Sequence, residues 1–192
     1  GAGPEILADL ARLRETAGLA TANVERIVAL TRSFRDMAAD HEVAETRHTS
    51  LAAWLEGALS SLHPLCRRHQ VDLHHHCTSD QELALPSAAL QQILTNLITN
   101  ACVHAFTEAQ HDRRVDVTLT RVNDEVLLQV DDNGEGVPPE VRTRVFEPFF
   151  TTRRAQGRTG LGLSASYQLA TGTLGGMLTV DDAPSGGARF TL

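Results

Sequence analysis

Apolar positions along this chain fall into blocks with two different periods. Between residues 5 and 39, apolar or small residues recur at Leu10, Leu13, Ala17, Ala20, Val24, Ile27, Thr31, Phe34 and Ala38. That alternating spacing of three and four is the seam of a coiled coil or helical bundle. The opposite face carries Arg12, Glu15, Arg26, Arg32 and Asp36, and Gly18 weakens the middle by about 1 kcal/mol. One helix cannot bury such a seam alone, so it needs a partner. Dimerisation through a bundle is expected, with folding back onto its own domain as the alternative. The stretch from Ala39 to Thr49 is polar and aperiodic and reads as a linker. Leu51 to about His69 returns to a helical period, with Leu51, Trp54, Leu55, Ala58, Leu62 and Leu65 on one face.

Beyond that point strands interleave with helices. Val71 to Cys77 alternates as a strand does, and Pro86-Ser87 opens a helix through about Ala105. Arg114 to Arg121 and Glu125 to Val130 predict two antiparallel strands joined through Asn123-Asp124. Pro138-Pro139-Glu140 starts a short helix ending near Phe146. Thr151 to Thr159 is basic, polar and glycine-bearing, and a mobile loop is expected there. A helix over Ser164 to about Thr171 and two strands, near Met177 to Val180 and Ala188 to Leu192, complete the order. The predicted class is α+β: a two-layer α/β sandwich with a mixed, mostly antiparallel sheet and helices on one face, preceded by a long N-terminal helix. Residues 1–45 form the bundle helix and linker in this reading, and residues 46–192 the second domain.

Composition narrows the chemistry. An apolar fraction of 42% and a charged fraction of 21% over 192 residues fit a globular core of ordinary size plus an appendage. A net charge of -7 argues against nucleic-acid binding, which needs phosphate neutralisation. Cys66, Cys77 and Cys102 are odd in number and lack Cys-x-x-Cys spacing, so reduced thiols are expected, and a cytoplasmic setting with them. No apolar run approaches the roughly 18 to 20 residues of a membrane helix. The start Gly1-Ala2-Gly3-Pro4 carries no initiator Met and reads as a segment cut from a longer protein, so any membrane anchor is expected outside it. All 17 basic residues are arginine. A Walker P-loop and a eukaryotic-type kinase site both require a lysine, and neither is possible here.

Three constellations carry chemistry. Asn96, Asn100 and His104 lie at i, i+4 and i+8 of one helix. Such a stripe can simply meet solvent or cap a loop; its amides can also bind Mg²⁺ or phosphate oxygens. In Asp131-Asp132-Asn133-Gly134-Glu135-Gly136-Val137 a strand ends in acids and two spaced glycines. Asp-Asn-Gly is a common turn sequence, but a carboxylate at such a mouth also accepts a hydrogen bond from an exocyclic amine. Gly157-Arg158-Thr159-Gly160-Leu161-Gly162-Leu163-Ser164 leads into a helix, whose N-terminal amides can face an anion. A dinucleotide fingerprint is rejected there, because a polar loop rather than a strand precedes it. Between the last two lies Phe146-Glu147-Pro148-Phe149-Phe150-Thr151-Thr152-Arg153-Arg154, either a satellite apolar cluster or the hinge of a lid whose arginines reach a polyphosphate.

In order and spacing these segments resemble the catalytic domain of bacterial sensor histidine kinases, from about Thr49 to Leu192. Asn96 to His104 is similar to the N box, Asp132 to Gly136 to the first glycine box, Phe146 to Phe150 to the F box, and Gly160 to Gly162 to the second glycine box. The resemblance implies ATP and Mg²⁺ as ligands. It implies that Asn100 holds the metal, Asn96 contacts phosphate and Asp132 takes the adenine amine. Gly134 and Gly136 would shape the base pocket, and Gly160 and Gly162 would wrap the phosphates. His104, Val137, Phe149, Thr151, Thr152, Arg153, Thr159, Leu161 and Leu163 complete the expected site. The N-terminal helix resembles the second helix of a dimerisation and phosphotransfer hairpin, implying a homodimer and a response-regulator receiver domain as partner. Two departures stand out. Val103 occupies a position that is basic in many relatives, and the only His-Glu pair, His41-Glu42, falls in the linker. The phosphoacceptor histidine is therefore expected to lie outside this chain. A nucleotide-binding domain that acts by docking to a partner, as anti-sigma relatives do, is the alternative.

Overall fold

The computed structural model describes Thr16, Gly18 and residues 47–79, 81–123, 125–151 and 160–192. Apart from Thr16 and Gly18, which are helical, the seam helix and most of the linker lie outside the described residues, as do His41, Glu42 and the loop 152–159.

Five strands form the main sheet in the order β2-β4-β5-β7-β6. They are β2 (Asp72–Cys77), β4 (Arg114–Val122), β5 (Glu125–Asp132), β6 (Thr179–Asp182) and β7 (Ala188–Thr191). Only β2 and β4 run parallel; the other three pairings are antiparallel, giving the expected mixed sheet. One face is apolar because the strands alternate: Val115, Val117 and Leu119 of β4, Leu128 and Val130 of β5, and Phe190 of β7 are all buried. Period two also places Asp132, the last residue of β5, on that inward face. Helices α1 (Leu51–Ser60), α2 (His63–Arg68), α3 (Ser87–Asn100) and α4 (Gly162–Gln168) contribute the rest of the core. In α3 the buried stripe runs Leu90, Ile93, Leu94, Leu97 and Ile98 and continues into Ala101 and Cys102. Each such aliphatic side chain stabilises the fold by about 1.5–3 kcal/mol.

Several elements depart from the sequence pattern. The helix expected from Leu51 to His69 breaks at Ser61-Leu62, and Pro64 sits in the first turn of α2. A proline there supplies no N–H to continue the preceding helix. Part of the expected linker is a strand: β1 (Arg47–Ser50) pairs antiparallel with β3 (Glu82–Leu85). The Ser50 hydroxyl then caps α1 by accepting from Ala53 N at 3.1 Å. The helix expected through Ala105 changes at Ala101 into a π turn, Ala101–Ala105. The single helix expected from Pro138 to Phe146 is two 3₁₀ turns, Pro139–Val141 and Arg144–Phe146. His74, His75 and His76 stand exposed on the edge strand β2, and the described residues hold no group of three or more His, Cys, Asp or Glu placed to bind a metal. Cys66 and Cys102 are buried free thiols with their sulfurs 3.7 Å apart. No described helix is long and apolar enough to cross a membrane.

Candidate functional site

The π turn after α3 decides how the Asn96–Asn100–His104 stripe is used. Widening a helical turn shifts the residues beyond it off the simple i+4 row, a feature frequent at functional sites. Asn100 and His104 both face one cavity. Among the described residues no hydrogen bond engages the Asn100 carboxamide. Asn96, one turn earlier, is committed elsewhere. Its Nδ2 donates to Gly162 O at 3.2 Å and to Ser166 Oγ at 3.0 Å, tying α3 to α4. Ser166 is fully buried and also donates to Gly162 O.

The turn after β5 docks directly on the end of that helix. Glu135 N donates to Ala105 O at 2.8 Å. A Cβ on Gly134 would stand 2.1 Å from the same oxygen, so Gly134 is needed for this close approach. Asn133 acts as a turn residue: its Nδ2 donates to Asp112 O and its Oδ1 accepts from Arg114 N, both at 2.7 Å. Asp132 is different. It is 5% exposed, and its Oδ1 accepts from Gly134 N at 2.9 Å and Ala188 N at 3.1 Å. Neither bond uses Oδ2. Burial pushes its pKa above the usual carboxylate range. The two backbone donors oppose that shift, and the Asp131 carboxylate adds to it. Asp131 itself is paired with Arg189, whose Nε lies 2.7 Å from Asp131 Oδ1.

Asp132 and Asn100 open onto a cavity of about 280 Å³. That is close to the lower end of the ~300–1,000 Å³ common for small-molecule sites. Its apolar walls are Val137, Pro138, Val141, Val145, Phe150 and Phe190, with Ala101 and Ala105 from the π turn. Gly136, Thr151, Gly160, Gly162 and Leu163 close the other side. The wall Val137–Val141 is pinned by Arg142, which donates through Nε to Val137 O at 3.0 Å and pairs with Asp182 on β6. Phe150 lies under the Arg144 guanidinium, 4.9 Å from ring to cation. No arginine lines the described part of the cavity. It therefore suits a flat, largely apolar group with a donor aimed at one carboxylate.

Of the residues expected from the sequence, Asn100, His104, Asp132, Gly136, Val137, Thr151, Gly160, Gly162 and Leu163 come together around this cavity. Asn96, Gly134, Phe149 and Leu161 are not in its lining. Phe149 is 37% exposed, and the neighbouring Phe150 takes the inward position. Thr152, Arg153 and Thr159 lie outside the described residues. The sequence reading missed Pro138, Val141, Val145 and Phe190, and also Ala101, Ala105 and Phe150. The first three come from the segment around two 3₁₀ turns, which has no fixed period to read, and Phe190 comes from the far end of the chain.

Residues 86–192, the span that supplies every described wall of the cavity, match the family described as histidine kinase-, DNA gyrase B- and HSP90-like ATPases. The chain belongs to this family. Its similar relatives include the sensor protein ChvG of Agrobacterium fabrum, 41% identical over 110 residues, and the alginate biosynthesis sensor protein KinB of Pseudomonas aeruginosa, 35% identical over 108 residues. Those alignments cover 53% and 56% of this chain but only 18% and 17% of the relatives, so the chain spans about a fifth of their length. The catalytic domain of histidine kinase ThkA superposes with a TM-score of 0.66 at 24% identity, covering 77% of this chain and 93% of that one. ThkA in complex with the response regulator TrrA matches with a TM-score of 0.65 at 19% identity, over 88% of this chain and 47% of that one. The fold is that of a histidine-kinase catalytic domain, and the family's domain binds ATP.

Proposed function

We propose that this cavity seats the adenine of ATP in the catalytic module of a sensor histidine kinase. Residues 46–192 form that module, and residues 1–45 belong to a dimerising bundle. The observation that carries the reading is Asp132: a buried carboxylate at the floor of an apolar cavity, with Oδ1 held by two backbone amides and Oδ2 outside both bonds. Oδ2 accepts the exocyclic amine of adenine, and Val137, Val141, Val145 and Phe150 cover the ring faces. Gly160 and Gly162 border the phosphates. The Asn100 carboxamide is a hard oxygen donor with no competing bond among the described residues, so it fits Mg²⁺. That ion, when bound, supplies charge neutralisation between phosphate oxygens. The chain's own contribution to phosphoryl transfer is positioning and exclusion of water.

The γ-phosphoryl is delivered to a histidine of the bundle in the intact parent protein, and from there to a receiver aspartate. Named sensor kinases among the relatives and the ThkA–TrrA complex support that order. The module then works on the cytoplasmic side, where ATP is, as one half of a homodimer. Titration of a non-hydrolysable ATP analogue with and without Mg²⁺ tests the site. Asn100→Ala is expected to abolish the gain in affinity that Mg²⁺ gives while leaving metal-free binding near that of the parent. If Asn100→Ala responds to Mg²⁺ as the parent does, the metal site is misplaced.

A further inference from the structure

The turn Ala183–Gly187 between β6 and β7 supplies no side chain to the proposed ATP site, yet it lies directly beneath Asp132. Ala183 N donates to Gly187 O, and Gly186 N donates to Ala183 O, each at 3.1 Å, so the turn is closed on itself. Gly187 has φ +76. A Cβ built there would lie 2.2 Å from Asp132 O, 2.4 Å from Asp132 Oδ1 and 2.6 Å from Gly134 N. All three atoms belong to the arrangement that holds the carboxylate. Two are backbone atoms, and Asp132 is walled in, so none can yield cheaply. Gly186 has φ +84 but nothing within 4 Å of a Cβ. The two glycines share the same backbone demand and differ in what surrounds them.

We infer that Gly187 is a positioning residue that sets selectivity for the base. Its bare Cα lets Ala188 N and Gly134 N reach Asp132 Oδ1 together, and this fixes Oδ2 as the one acceptor left for an exocyclic amine. The inference rests on the ATP reading above. A methyl group at residue 187 pushes the carboxylate off its two amide donors, and a carboxylate displaced from them no longer aims a free oxygen at the exocyclic amine. Selectivity against a purine bearing a carbonyl in place of the amine is then lost, because that carbonyl has no proton to give Asp132 however the carboxylate sits.

The test compares ADP with inosine diphosphate, whose base carries that carbonyl, by calorimetric titration of the 192-residue chain. The parent and Gly186→Ala are expected to favour ADP by about tenfold or more, the scale of one hydrogen bond to a charged group. Gly187→Ala is expected to lose ADP affinity by about tenfold with little change for inosine diphosphate, so the ratio collapses toward one. Thermal melting establishes that each variant is folded. If Gly187→Ala does not melt cooperatively, Gly136→Ala replaces it. Its added Cβ would meet Gly187 O at 3.1 Å and press on the same turn less severely. A smaller fall in the ratio is expected there. A folded Gly187→Ala, or Gly136→Ala in its place, that keeps the parent's ratio overturns the inference. A parent that does not distinguish the two nucleotides instead overturns the adenine reading of the cavity.

Discussion

At the scale of single residues, the proposed base contact makes the state of Asp132 decide what the cavity should accept. Burial raises its pKa, so as pH falls the carboxylate takes up a proton before an exposed aspartate would. The protonated acid is a poorer acceptor for an amine. Affinity for ADP should therefore rise with pH through a midpoint above the ordinary carboxylate range and then level off. The nucleotide titrates too, so the informative quantity is the difference between the parent and Asp132→Asn profiles. Asp132→Asn keeps an oxygen for Gly134 N and Ala188 N but turns an NH₂ group toward the base. It should stay folded and bind ADP about 10- to 100-fold more weakly, the range of a hydrogen bond to a charged group. A parent profile that parallels the variant's at every pH removes Asp132 from base recognition. Stability moves in the opposite sense. With the folded-state pKa raised, ionising Asp132 costs the folded state more than the unfolded one. Its contribution is fully favourable below the ordinary value and is lost as pH rises through the raised one.

At the scale of elements, the site depends on how α3 and α4 are joined. Asn96 spans them with two hydrogen bonds, one to the completely buried Ser166. Asn96→Ala removes both, which should cost about 1–3 kcal/mol in chemical denaturation, although Gly162 O keeps its bond from Ser166 Oγ. Because α4 begins at Gly162 in the cavity wall, nucleotide affinity should fall as well. An Asn96→Ala variant as stable as the parent would show the bridge to be incidental. The sequence made much of this scale readable. The period of α3 and the alternation of β4 and β5 are local, so Asn100 could be placed on its helix and Asp132 just past its strand, which in fact runs on to include it. What stayed hidden depends on distant partners. Nothing in Arg47–Ser50 marks it as the partner of Glu82–Leu85, some 35 residues away. The choice of Phe150 over Phe149 as wall cannot be read where the backbone has no fixed period. Gly187 reads as an ordinary turn glycine until Asp132 is found above it.

At the scale of the whole molecule, binding and transfer should separate. Among the described residues the cavity is lined by residues between 100 and 190, within the family match, so under the proposed function nucleotide binding is expected without the bundle. Under the proposed function transfer does need it, because the γ-phosphoryl must meet a histidine in line. Nine histidines are present, and four of the described ones sit poorly for that role. His74, His75 and His76 lie on the outer edge strand, and His104 lines the pocket itself. The chain incubated with γ-labelled ATP and Mg²⁺ is accordingly expected to bind nucleotide and to gain no acid-labile label. Adding a bundle hairpin that carries an acceptor histidine should produce label on the hairpin, and an Asn100→Ala chain should give none. Stoichiometric labelling of the chain by itself would mean that one of its own histidines is the acceptor, and mapping the labelled peptide would say which. His41, in the sequence's only His-Glu pair, is where that mapping would begin.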